Sequence, residues 1–379
     1  MIKRIFWSQL LEQAWQQHSV IWLSGVRRVG KTHLCRSLPG MEYFDCELPR
    51  VRQQLNDCES FFETRKTKRI VLDEIHRLPN PSEILKVAAD HYSNIHILAT
   101  GSSMLGASSK FGDTLTGRKS DIWLTPMIDE ENKLFKNTDL QHRLLHGGLP
   151  PFFMSNKLLE KEYQSWIDAY WAKDIQELFR LEKRFSFQKF TELLLAQSGG
   201  IFEATKFTIP CEASRQTIIN YLHVLEATYV VHIIKPFNTH RQTEIISAPK
   251  VYGFDTGFIC FAKGWLMLRR EDLGLLWEHY VLNELQAHLQ TKKIYYWRDK
   301  QKHEIDFILR KARSQALTVI ECKWVSNQFD PGNLKIFRDQ YPEGNNYVVA
   351  SDISTSFQKK YGHLIVQLVN LHHLIKNVS

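Results

Sequence analysis

Three apolar runs in the first third of the chain, Val20–Leu23, Ile70–Leu72 and Ile95–Ala99, each end in a polar or glycine-containing stretch. Continuous runs of this length read as strands buried on both faces, the signature of a parallel sheet. From 130 to 230 the apolar residues recur at helical spacing. Ser214 is a good N-cap for a helix that puts Ile218, Tyr221, Leu222 and Leu225 on one face. A β-rich run, Tyr229–Ile234, a polar turn at Asn238–Gln242 and a second short run, Glu244–Ile246, come next. Lys250–Gly257 reads as a strand plus a turn, with Asp255 structural. Further on, Leu275, Glu278, Leu282, Leu285 and Leu289 form a helical stripe, so Glu278 stands where a core-facing leucine is expected. Strands at Tyr295–Asp299, His303–Leu309 and Leu317–Trp324 follow.

The first chemistry sits just after the first strand. Gly25-Val26-Arg27-Arg28-Val29-Gly30-Lys31-Thr32 is a complete phosphate-binding loop, and the residues from Lys31 to Ser37 can open a helix. Glycines let successive N–H groups face phosphate oxygens, Lys31 neutralises the outer phosphates, and the Thr32 hydroxyl can ligate magnesium. ATP and Mg are the cofactors this loop predicts. The second apolar strand ends in Asp73 and Glu74. Asp73 is placed to reach the magnesium through water, and Glu74 to polarise the water that attacks the outer phosphate. The third strand exits through Thr100-Gly101-Ser102-Ser103. Either Thr100 or Ser102 senses the outer phosphate, or the segment is an ordinary strand-to-loop exit.

The loop Gly-x-Arg-Arg-Val-Gly-Lys-Thr, the segment Leu72–Leu78 and the Thr-Gly-Ser-Ser exit together resemble a widespread set of prokaryotic AAA-type ATPases whose C-terminal half is known only as a domain of unknown function. The resemblance implies a nucleotide-site arginine after the sensor strand, and Leu115-Thr116-Gly117-Arg118 stands at that place. Arg118 would then complete a site in its own chain or in a neighbour's, which makes a homo-oligomer the expected assembly. The Leu-Pro-Leu-Ser-Phe segment usual in such proteins is Leu124-Thr125-Pro126-Met127-Ile128 here. The likeness resumes at Gly147-Gly148-Leu149-Pro150, at Tyr170-Trp171-Ala172-Lys173-Asp174-Ile175 and at Lys250-Val251-Tyr252-Gly253-Phe254-Asp255-Thr256-Gly257.

Helix, strand, turn and strand in the order found after Ser214 suggest a winged helix, with Arg215, Gln216 and Thr217 at the helix start and Arg241 on the wing. The alternative is a helical connector that only packs domains together. In the C-terminal part, side-chain alternation puts Glu321 and Lys323 on one face of their strand and Ile320, Cys322 and Trp324 on the other. A Glu-x-Lys pair ending an apolar strand, one hairpin after Asp306, is similar to the active-site layout of the restriction-endonuclease-like, PD-(D/E)XK, fold. The likeness implies that Asp306 and Glu321 hold magnesium, that Lys323 positions the attacking water, and that Glu278 orients or binds a second ion. The same charges also suit an ion network in a fold that no longer cuts.

The expected fold class is therefore α/β: a P-loop AAA-type ATPase domain at 1–130, a helical and winged-helix-like region at 131–270, and a C-terminal α/β restriction-endonuclease-like domain at 271–379. A length of 379 residues agrees with two or three domains at roughly 100 to 200 residues each. With 43% apolar and 24% charged residues, the chain is neither disordered nor collagen-like. The charge of +8, from 49 basic and 41 acidic residues, is only weakly in favour of DNA as partner. Six scattered cysteines, with no close pair at metal-ligand spacing, indicate neither a zinc site nor a disulfide framework and predict reduced thiols. No secretory signal or apolar stretch of membrane-spanning length appears, so a cytoplasmic protein with no membrane partner is expected. Two functions fit: an ATPase coupled to a Mg-dependent DNA nuclease, or a nucleotide-controlled switch for protein partners built on an inactive nuclease-like scaffold.

Overall fold

The structure, a computed structural model, describes residues 2–65, 67–101, 111, 114–155, 157, 160–176, 179, 181, 183–238, 248–310 and 316–379. Ser102 and Ser103, most of the expected wing with Arg241, the run Glu244–Ile246 and the turn from Lys311 to Ser314 lie outside the described residues.

The first sheet has the order β2-β3-β4-β1-β5, from Glu42–Asp45 (β2), Arg69–Asp73 (β3), His96–Thr100 (β4), Val20–Ser24 (β1) and Lys119–Trp123 (β5). All its pairings are parallel. The strands therefore end on one edge, where an open α/β sheet binds its ligands. Alternation sends Ile21, Leu23, Val71 and Leu98 to one core and Val20, Trp22, Ile70, Leu72, Ile97 and Ala99 to the other. The core on the first of these faces continues without a break into the middle region, through Tyr163, Trp166, Tyr170, Phe187 and Tyr221. The boundary expected near 130 is therefore not a gap in packing.

The second sheet has nine strands in the order β13-β14-β12-β11-β10-β9-β7-β8-β6. Gly200–Ile201 (β6), Val231–Pro236 (β7) and Lys250–Gly253 (β8) come from the middle region. Ile294–Arg298 (β9), Glu304–Arg310 (β10), Leu317–Lys323 (β11), Asn346–Ala350 (β12), Phe357–Tyr361 (β13) and Leu364–Val369 (β14) come from the C-terminal part. Parallel pairing of Lys235 with Tyr295 and of Pro236 with Tyr296 joins the two sets, so this sheet crosses the boundary expected at 270. The strand expected at Tyr229 begins instead at Val231, because Tyr229 takes a left-handed φ of 62° that extended backbone cannot hold.

Ser214 caps the Arg215–Ala227 helix by accepting from the Thr217 N–H at 3.1 Å, and Ile218, Tyr221, Leu222 and Leu225 are buried as their spacing predicts. The Leu273–Leu289 helix corrects the stripe expectation. It is enclosed nearly all round, with Leu276, Trp277, Tyr280, Val281, Leu282 and Leu285 buried while Leu275 and Leu289 are only partly so. One side packs on the sheet at Phe307, Ile320 and Cys322; Tyr280 and Glu284 bond to Asn132 and Asp129 at the end of the N-terminal region. The opposite sheet face, at Ile305, Ile308 and Val319, is covered by Leu334 and Phe337 of the Gly332–Gln340 helix. All six cysteines are free thiols. Among the described residues no helix is long and apolar enough to cross a membrane.

Candidate functional site

The loop after β1 is built on two glycines that no other residue could replace easily. Gly25 has φ 140°, and a Cβ there would stand 2.4 Å from the Leu124 carbonyl oxygen; Gly30, at φ 103°, precedes the Lys31–Ser37 helix. Lys31 Nζ donates to the carbonyls of Gly25 at 2.7 Å and Val26 at 3.3 Å. Burial holds its pKa below the usual lysine value against the opposing pull of Glu74, Asp174 and Asp73. Val26 and Val29 are buried beneath the loop, and Arg4 braces it from below by donating to the Val29 carbonyl at 2.8 Å. Arg4 is in turn held by both carboxylate oxygens of Glu131, at 2.5 and 2.7 Å. Neither Arg4 nor Glu131 stands out in the sequence.

Asp73 is buried at the end of β3, where the hydroxyls of Thr100 and Tyr43 both donate to it, the latter at 2.5 Å. Two donors on one carboxylate fix its orientation. Thr100 is fully buried, with its hydroxyl turned to Asp73 rather than into the cleft, and its Oγ1 also accepts from the Glu74 N–H at 3.1 Å. Glu74 itself is left-handed, with φ 56°, which turns its side chain away from the strand line and toward the cleft. Burial alone would raise its carboxyl, but His76, whose Nδ1 is 3.1 Å from Oε2, together with Lys31 holds it below the ordinary value.

The phosphate loop and Glu74 open on a cleft of about 630 Å³. Arg27, Arg28, Lys31, Thr32, Arg36 and Glu74 line it from the N-terminal region, and the middle region adds Tyr170, Lys173, Asp174 and Thr228. A mostly basic cradle with the Thr32 hydroxyl and the Glu74 carboxylate in its wall suits a polyphosphate with magnesium; Asp73, the neighbour of Glu74, is buried just behind that wall. Arg118 lies elsewhere: it pairs with Asp90 at 2.7 Å, about a third exposed, and is not among the residues lining the cleft. In this arrangement it does not complete the site of its own chain.

The second constellation lies on the nine-stranded sheet. The register between β9 and β10 shifts between Ile305 and Ile308, so Asp306 sits in a β-bulge, a device that re-aims a side chain. Asp306 Oδ2 accepts from the Cys322 N–H at 2.7 Å and lies 3.6 Å from Lys323 Nζ, which donates to Glu321 at 2.8 Å. Ile320, Cys322 and Trp324 belong to the opposite, helix-covered core, as alternation requires. Glu278 accepts from the Tyr252 hydroxyl at 2.5 Å and faces Lys250 at 3.6 Å. Burial, then the nearby Asp306 charge, pushes the Glu278 carboxyl up to about 7 and the Glu321 carboxyl up to about 8. The sequence reading missed Lys250, which forms an ion pair with Glu304, and Arg298, 3.4 Å from the same carboxylate. Lys250 and Tyr252 alternate onto one face of β8, as do Glu304 and Asp306 in the linear sequence, and that spacing was the available signal.

Glu321 Oε1 is buried without a hydrogen-bond partner, which is the condition of an oxygen that could take a cation. Against that, no group of three or more His, Cys, Asp or Glu side chains stands at metal-holding geometry among the described residues. Asp255 is structural: its carboxylate accepts from Gly148 N–H at 2.5 Å and Gly257 N–H at 3.0 Å, in the space a Cβ on Gly147 would fill.

Residues 17–132 match the family described as an AAA domain, residues 137–269 a domain of unknown function (DUF8612), and residues 273–372 another (DUF4143). An uncharacterized protein of Mycobacterium tuberculosis is 26% identical over 310 residues, covering 78% of this chain and 68% of its own length. An uncharacterized protein of Haemophilus influenzae is 24% identical over 380 residues, covering 90% of this chain and 92% of its own. Among solved structures, a Walker-type ATPase of Pyrococcus abyssi is similar with a TM-score of 0.46 and 15% identity, over 69% of this chain and 96% of its own. The AAA domain supports nucleotide binding by the N-terminal third.

Proposed function

With an AAA domain at residues 17–132 as the premise, we propose that the chain binds and hydrolyses ATP with magnesium, and that this ATPase is coupled to a metal-dependent phosphodiester-cleaving site acting on DNA. In the first site Lys31 holds the outer phosphates, Thr32 and Asp73 hold the metal, and Glu74 orients and deprotonates the attacking water. In the second, Asp306 and Glu321 are the metal ligands. A bound divalent cation would supply charge stabilisation at the phosphorus and a more acidic water. In this reading Lys323 holds that water and Glu278 orients it. One observation supports the second half of the reading: Asp306 and Glu321, from neighbouring strands, share Lys323, and Glu321 Oε1 is buried without a partner. The short β6, the capped Arg215–Ala227 helix with exposed Arg215 and Gln216, and the antiparallel β7 and β8 support a winged-helix-like DNA contact in the middle region.

A second reading is favoured by a specific feature. Lys250, Lys323 and Arg298 already pair with Glu278, Glu304, Asp306 and Glu321, as in an ion network that serves as scaffold for a nucleotide-controlled switch. Purified protein with Mg²⁺ or Mn²⁺, with and without ATP, on single-stranded, duplex and branched DNA separates the two. The nuclease reading expects strand breaks that vanish in Asp306→Ala and Glu321→Gln and fall by about 10² to 10⁴-fold in Lys323→Ala. No cleavage by the wild type, or cleavage unchanged in Asp306→Ala, leaves the switch.

A further inference from the structure

The cleft beside the phosphate loop contains an acidic residue, Asp174, that has no part in the hydrolysis proposed above. Asp174 comes from the middle region, on a π-helical turn at Trp171–Gln176 that directly follows the Glu160–Tyr170 helix. A π turn is wider than an α turn, and such turns gather at functional sites because they re-aim side chains without breaking the helix. Here Trp171 and Ile175 remain in the core while Lys173 and Asp174 line the cleft.

Asp174 Oδ2 stands 3.2 Å from Arg27 Nη1, both side chains mostly buried. The same helix grips the loop a second time, since Trp166 Nε1 donates to the Arg27 carbonyl at 3.1 Å. Two more contacts tie this assembly to the Arg215–Ala227 helix. The hydroxyls of Tyr170 and Thr228 are 2.6 Å apart, and Ser24, the last residue before the loop, donates to the Tyr229 hydroxyl at 2.8 Å. A carboxylate from the middle region thus holds one of the arginines of a cradle in which basic side chains outnumber Glu47 and Glu74. Incoming phosphate oxygens carry its sign and would meet the same arginine, which lines the cleft, and like charges in a partly desolvated cleft repel strongly.

We propose that Asp174 is a displaceable counter-ion of the nucleotide site: its carboxylate holds Arg27 until phosphate oxygens take the guanidinium, so that the middle region is part of the nucleotide site and moves with its occupancy. The proposal rests on the nucleotide-site reading above. Because binding linkage is reciprocal, whatever fixes the Arg215–Ala227 helix changes nucleotide affinity by the factor with which nucleotide changes its grip.

The test is isothermal titration of the full chain in Mg²⁺ with ADP and with the non-hydrolysable analogue AMP-PNP. Asp174→Asn, which keeps the shape and removes the charge, should bind at least one of them about fivefold tighter or more. Asp174→Glu, which keeps the charge, should stay near wild type. A residue that merely supports the fold would give the opposite sign, so unchanged or weaker binding by Asp174→Asn overturns the proposal, as does an equal gain in Asp174→Glu. Hydrogen exchange supplies a measurement independent of the variants: amides at 160–176 in the wild type should exchange faster with nucleotide bound, and unchanged or slower exchange also overturns it. A wild type that binds neither probe removes the nucleotide site itself and this proposal with it, which keeps the two failures distinct.

Discussion

Arg4→Met should destabilise the phosphate loop from underneath, at a distance from any nucleotide. Arg4 and Glu131 are exposed by only 2% and 1% at their side chains and form a two-oxygen pair. Removing one partner of such a pair costs about 3 to 5 kcal/mol, because the remaining charge stays buried. Glu131 would keep the Ile128 N–H at 3.1 Å and the Trp7 indole N–H at 3.4 Å, which places the cost near the lower end, about 3 kcal/mol. At about 1.4 kcal/mol per factor of ten, that is on the order of a hundredfold in the opening equilibrium. A chain with several packed regions does not unfold in one step, so the suitable assay is native-state hydrogen exchange at the amides of β1 and the Lys31–Ser37 helix. The double variant Arg4→Met, Glu131→Gln removes both charges and keeps an acceptor for Ile128, and should recover at least about half of the loss. Exchange within about threefold of wild type in Arg4→Met, or a double variant as labile as the single one, would show that the pair does not brace the loop.

Glu74→Gln should bind ATP but hydrolyse it about 10² to 10⁴-fold more slowly, whereas Lys31→Ala should lose binding; equal turnover in wild type and Glu74→Gln in a phosphate-release assay would remove the role given to Glu74. Because Arg118 pairs with Asp90 outside its own cleft, a role in the site requires a neighbouring chain. Mixing Arg118→Ala with Lys31→Ala protein should then restore ATPase activity at the one intact interface, and demonstrably mixed assemblies without rescue would confine Arg118 to a surface ion pair.

What the sequence by itself determined is local. The phosphate loop, the acidic end of β3 and the alternation of Glu321 and Lys323 against Ile320 and Cys322 all follow from backbone geometry over a few consecutive residues, where spacing alone says which side chains share a face. The capped helix at Ser214 belongs with them, since a cap is decided within one turn. The tertiary structure decided which distant groups meet. Tyr43 reaches Asp73, Arg4 reaches Glu131, Asp174 enters the phosphate cradle, and Lys250 crosses from the middle region into the acid cluster of the C-terminal sheet. The same holds for the position of Arg118 and for a sheet and a core that run across both expected boundaries. These juxtapositions depend on how amphipathic faces close over one another, and no short window of sequence carries that information: the burial that drives it is proportional to area and indifferent to direction, while the polar contacts it traps are chosen only once the faces have met.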